Sequence, residues 1–175
     1  MRDVQIPAKR LPVLIAKNKA LLKELTNSLG VKFKLKKDGM LELTGPDGDA
    51  GKEWEAEQVI NAVALGFEPP IALKMLDDKN FLETLNLQQA FRGKDKLVER
   101  YKGRVIGSQG LMREKIEHLT GCHLAISDNE ISFIGEWEDL KIAKEAVLKL
   151  LEGGTHSGAL SYLEKQAKKR KYLIG

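Results

Sequence analysis

The chain carries one order of elements twice, and that repetition narrows the folds open to it. In the first copy Val4-Gln5-Ile6-Pro7 reads as a short strand stopped by proline. Lys9 to Ile15 is a short helix with Pro12 near its start, and Ala16-Lys17-Asn18-Lys19 is a polar break. Ala20 to Leu29 is helical, with Leu21, Leu22, Leu25 and Leu29 on one face and Gly30 as its stop. Val31 to Leu35 alternates as a strand, Lys37-Asp38-Gly39 turns, and Met40 to Thr44 returns. A polar loop from Gly45 to Gly51 leads into a helix that runs to about Leu65. Trp54, Val59, Ala62 and Val63 form its apolar side, and Gly66 closes it. The order is β-α-α-β-β-α.

Glu68-Pro69-Pro70 marks a boundary, followed by a short apolar helix from Ile71 to Leu76. The second copy then begins: a strand from Leu82 to Leu87, a loop from Gln88 to Asp95, and a helix from Lys96 to Ile106. Next come a helix ending at Thr120, a strand from Cys122 to Ser127, a turn at Asp128-Asn129, a strand from Glu130 to Ile134, and a helix from Trp137 to Leu151. Leu140, Ala143, Val147, Leu150 and Leu151 lie on that last helix's inner face. Placing Ala16 on Gly107 puts Leu25 on Ile116, Gly30 on Gly121, Val31 on Cys122 and Phe33 on Leu124. The expected domains are residues 1–76 and 77–175. After Gly153-Gly154 a final helix is expected, capped by Ser157, with Leu160, Leu163 and Ala167 on one face and a basic end.

The copies differ between their first two helices. The second has Gly107-Ser108-Gln109-Gly110, preceded by Lys102, Arg104, Val105 and Ile106 and followed by Arg113. Glycine tolerates positive φ and lets another backbone come close. A helix starting after Gly110 offers unpaired N–H groups to an anion. The first copy has Ala16-Lys17-Asn18-Lys19 there, charged but without glycine.

A Gly-x-x-Gly loop between two helices, then Gly121 and an apolar strand, resembles the KH domain. The loop of that domain clamps the backbone of about four single-stranded nucleotides. The resemblance implies an α+β fold of two tandem type I KH domains. Each would pack a three-stranded antiparallel sheet on helices, and a C-terminal helix would follow. The run Gly103 to Gly110 with Arg113, the degenerate first copy, the Leu76-Asp77-Asp78 linker and the histidine-containing tail are similar to ribosome assembly factors of the Partner-of-Nob and Krr type, in particular archaeal ones. That likeness implies single-stranded small-subunit rRNA near its 3′ end as ligand. It implies the Nob endonuclease and the α subunit of archaeal translation initiation factor two as partners. The expected RNA-binding residues are Lys102, Arg104, Val105, Ile106, Gly107, Ser108, Gln109, Gly110, Arg113 and Leu124. Weaker contacts are expected from Lys17, Lys19, Lys168, Lys169 and Arg170. The rival readings are a protein-interaction scaffold and a KH subunit of an RNA-degrading assembly.

Composition fits this reading. The net charge of +4 and a pI near 9.0 favour an anionic partner. Aromatic residues are 6% of the chain, too few for a stacking platform of the RRM kind. The lone Cys122 permits no internal disulfide, and no apolar run is long enough for a signal core or a membrane span, so a cytoplasmic location is expected. Asp47, Asp49 and Glu53 do not match an EF-hand, because Gly51 and Gln58 stand where that loop needs glycine one place later and glutamate. His118, His123 and His156 lack metal-ligand spacing, and no Lys-Ser or Lys-Thr follows the glycines as in a P-loop. No catalysis, cofactor or metal is expected.

Overall fold

A computed structural model describes residues 1–174. The chain divides into two compact units, Met1–Asp78 and Lys79 onward. In the first, β1 (Arg2–Gln5) precedes α1 (Leu11–Leu29), then β2 (Lys32–Leu35), β3 (Met40–Thr44) and α2 (Ala50–Leu65). A short α3 (Pro69–Ala72) and a 3-10 turn at Leu73–Leu76 end it. The sheet is antiparallel with order β1-β3-β2; Val4 faces Leu41 and Phe33 faces Leu43. Leu14, Leu25, Leu41, Leu43, Val59 and Ile60 are fully buried between sheet and helices.

α1 is broken at the expected polar stretch. Ala16 is extended at ψ 153°, and Lys17, Asn18 and Lys19 are all left-handed, at φ 49°, 56° and 59°. Each such non-glycine residue costs roughly 1 kcal/mol or more. The helix resumes because Leu21, Leu22 and Leu25 recur on its buried face, and it stops at Gly30, φ 74°.

α2 corrects the expected apolar side. Trp54 is 52% exposed, whereas Glu53 is 3% exposed and lies inside with Ala56, Val59, Ile60, Ala62 and Val63. The carboxylate is tolerated there because it accepts from the Gly45 N–H at 2.9 Å and from the Met1 ammonium at 2.8 Å. These donors hold its pKa below the ordinary glutamate value. Asp49 caps the helix, accepting from the Gly51 and Lys52 N–H groups.

The second unit runs β4 (Asn80–Asn86), α4 (Leu87–Ala90), α5 (Asp95–Ile106), α6 (Leu111–Thr120), β5 (His123–Ile126), β6 (Glu130–Glu136), α7 (Trp137–Leu151) and α8 (His156–Ile174). Its sheet order is β4-β6-β5, again antiparallel. β4 starts two residues before the expected Leu82, since β6 extends to Glu136 and pairs Asn80 and Phe81 as well. The expected loop after it begins as the helical turn α4, capped by the Asn86 side chain on the Gln89 N–H. Phe133, Leu124, Ile131, Val105, Ile116, Leu140, Val147 and Leu163 meet in one core. α8 begins at His156, so Thr155 and not Ser157 caps it, accepting from the Gly158 N–H at 3.0 Å. Ala159 and Leu163 bury its inner face.

Candidate nucleic-acid interface

The candidate site is the corner between α5, α6 and the edge strand β5. α5 is amphipathic: Val98 and Val105 face the core, and Tyr101 stacks on Phe91 with ring centres 5.1 Å apart. It ends at Gly107, whose backbone, φ 74° and ψ 176°, belongs to glycine alone. Gln109 and Gly110 are left-handed, at φ 55° and 75°, and α6 starts at once. Ser108 and Gln109 project into solvent. Met112 and Ile116 anchor α6 in the core.

The two glycines do different work. A Cβ at Gly107 would stand 2.6 Å from Met112 Cβ and 2.9 Å from Met112 N, so this glycine lets the loop fold against α6. A Cβ at Gly110 would meet nothing within 4 Å. Only Gly110 leaves its space open to a ligand. The Cβ position of Gly107 is thus filled by α6, and that of Gly110 is open.

The expected cations are differently placed. Lys102 donates to Glu99 Oε1 at 2.8 Å and reaches the Asp128 carbonyl at 3.4 Å, with a side chain 14% exposed. Arg104 turns back from the loop and donates through Nη2 to the Gly154 carbonyl. Arg113 is 44% exposed, with Nε 3.6 Å from Glu117 Oε1. Glu117 is itself fixed, accepting from the Leu124 N–H at 2.8 Å. Val105 and Leu124 are 0% and 1% exposed. Expected as RNA contacts, they are core residues that support the corner from beneath, because β5 turns Leu124 toward Phe133 and α5 turns Val105 inward. Ile106 and Ile126 are half-buried and reach the surface.

On α8, Lys168 and Lys169 are exposed. Arg170 is committed elsewhere: Nη2 lies 2.6 Å from Asp139 Oδ1, and Nη1 donates to the Thr120 carbonyl at 3.2 Å. Burial pushes the Asp139 carboxyl above its ordinary value, and the Arg170 charge opposes that rise. Arg170 is therefore an internal anchor. Burial pushes the Cys122 thiol up to about 12, so it is a packing residue without thiolate chemistry.

The matching face of the first unit holds an open groove of about 300 Å³. Ile15, Leu22, Phe33 and Leu35 line it, and Lys19 and Lys23 stand at its rim. By the register of the repeat Leu22 stands where Arg113 stands in the second unit. Among the described residues no three His, Cys, Asp or Glu side chains are placed to share a metal ion. Among them, too, no helix is long and apolar enough to cross a membrane. Sequence reasoning missed His156, whose Nε2 lies 2.8 Å from the Arg104 carbonyl; no local pattern announces a contact spanning 52 residues.

A helix, a left-handed Gly-x-x-Gly turn, a second helix and a sheet of order β4-β6-β5 define a KH domain of type I, a module that holds single-stranded nucleic acid. Residues 81–168 match the family model described as the eukaryotic type KH-domain, KH-domain type I. A KH domain-containing protein of Methanocaldococcus jannaschii is 37% identical over 170 residues, covering 96% of this chain and 74% of its own length. The pre-rRNA-processing protein pno1 of Aspergillus oryzae is 27% identical, covering 97% of this chain and 67% of its own. Among solved structures, the a/eIF2alpha-aDim2p-rRNA complex of Pyrococcus horikoshii holds a chain 29% identical, with a TM-score of 0.86, covering 96% of this chain and 94% of that one. The chain belongs to the PNO1/Dim2 family of KH-domain proteins.

Proposed function

We propose that this chain binds single-stranded small-subunit rRNA during pre-rRNA processing, without catalysis of its own, and that the second unit provides the main grip. The observation that carries the reading is the loop: Ser108 and Gln109 are exposed, and the position of a Cβ on Gly110 is empty space. A phosphate can approach that backbone and take hydrogen bonds from Ser108 and Gln109. Arg113 supplies charge beside it, and Lys168 and Lys169 add non-specific attraction. Its relatives' names support the RNA: one is a pre-rRNA-processing protein, and one lies in a complex with rRNA and a/eIF2alpha. The α subunit of translation initiation factor two and the Nob endonuclease are the proposed protein partners, and the cytoplasm the proposed site of action.

The first unit, proposed as residues 1–76, we read as a second KH fold, since it shares the element order and the strand order of the other. One observation favours a contribution from it: its groove is open and apolar with lysines at the rim, which suits bases even without glycines. Lys17 and Lys19 would then meet phosphates.

One experiment tests both. The Ser108→Asp, Gln109→Asp double variant sets two negative charges against the phosphates. RNA affinity should fall tenfold or more while the fold survives. Lys17→Ala with Lys19→Ala should cost less, because only screened attraction is lost. Undiminished binding by the Asp pair would remove the loop from the site. Equal losses would make the first unit an equal partner.

A further inference from the structure

α8 is not part of the repeated β-α-α-β-β-α unit, yet it holds both helices that flank the loop. The last carbonyls of a helix lack partners within it. At the end of α5, the Gly103 carbonyl accepts from the Gly107 N–H at 2.9 Å. The Arg104 carbonyl comes next and takes its bond from outside: His156 Nε2 lies 2.8 Å away and must be the donor, since a carbonyl only accepts. Arg104 answers with its side chain, donating to the Gly154 carbonyl two residues before α8. At the other end of α8, Arg170 donates to the carbonyl of Thr120, the last residue of α6. Between these ends Ala159 and Leu163 are buried at 1% and 0% exposure. The carbonyl ends of α5 and α6 are thus both held by one helix outside the repeat.

We propose that α8 sets the geometry of the Gly107–Gly110 loop for RNA, with His156 and Arg104 as its positioning residues. The proposal rests on the reading of that loop as the RNA site. Arg104 then acts through the loop and touches no phosphate. The clasp is reciprocal, so losing either side chain frees the last turn of α5 to rotate. The His156 bond is exposed, the Arg104 bond is part-buried, and neither side chain belongs to the apolar core, so losing either leaves that core intact.

The test uses the full chain and a labelled single-stranded RNA with the small-subunit rRNA 3′ end, in a salt series well below the melting temperature. His156→Ala should weaken binding about fivefold, the equivalent of one ordinary hydrogen bond. His156→Gln, which can still donate, should restore most of it. Arg104→Ala should weaken binding with an unchanged salt slope, whereas loss of a phosphate contact would flatten the slope by about 0.7. His156→Ala binding like the parent, or a flattened slope in Arg104→Ala, would overturn the proposal. Failure of the underlying RNA reading shows separately, as undiminished binding by the Ser108→Asp, Gln109→Asp variant.

Discussion

Alanine at Gly107 and at Gly110 should give two different proteins. At Gly107 the backbone lies in a region that costs a side-chain-bearing residue about 1–3 kcal/mol. The new methyl would also stand 2.9 Å from the Met112 backbone nitrogen, and that atom cannot move without unseating the first turn of α6. Overpacking of this kind adds about 1–3 kcal/mol. The sum, about 2–6 kcal/mol, lowers the melting temperature of a unit of this size by roughly 10 °C or more. At Gly110 the left-handed backbone costs alanine about 1 kcal/mol, and there is no clash. Asparagine, which tolerates that region, should cost less. Calorimetry should therefore show a large loss for Gly107→Ala and a few degrees for Gly110→Ala. Anisotropy with single-stranded RNA should show a tenfold or greater loss for Gly110→Asn despite near-parental stability. Equal melting temperatures for the two alanine variants would refute the division of labour. Parental RNA affinity in Gly110→Asn would refute the open-space argument.

Three further outcomes are expected. Arg113→Lys should lower RNA affinity several-fold with little change in melting temperature, because only Nε faces Glu117 and the outer fork is left for a phosphate; equal affinity at near-physiological salt would reduce Arg113 to a helix ion pair. Arg170→Ala should cost about 2 kcal/mol by leaving Asp139 buried without its cation, and Asp139→Asn in the same chain should recover part of that, measured by urea unfolding. Glu53, whose pKa is lowered in the fold, contributes stability above the unfolded glutamate value and loses it as pH falls through the folded one. Acid unfolding of the first unit below about pH 4.5 should therefore be shallower in Glu53→Gln; an unchanged acid limb would show that the buried carboxylate is not the sensor.

Element order, the breaks at Gly30, Gly66 and Gly121, and the site of the loop were legible because each depends on neighbours three or four residues away. What escaped depends on distant partners. Trp54 was placed on the inner side by hydrophobicity, but Glu53 lies there instead, and the partners that let a carboxylate in are the Gly45 N–H and the amine at Met1. Arg104 and Arg170 were expected to turn their charge toward RNA, yet each donates to a carbonyl 50 residues away. Val105 and Leu124 were correctly apolar, but whether an apolar side chain lines a groove or lies beneath it is decided by packing, not by pattern.

The bond from the Leu124 N–H to Glu117 has a meaning beyond the loop. β5 is an edge strand, and an outward amide on an edge is an invitation to a foreign strand. β2, the corresponding edge of the first unit, carries Lys32 and Lys34, charges of the kind that discourage such pairing. β5 carries no lysine; there a carboxylate from the adjacent helix occupies the amide instead. Glu117 thus works as a stopper against sheet-to-sheet aggregation while leaving β5 without bulky charged side chains beside the loop.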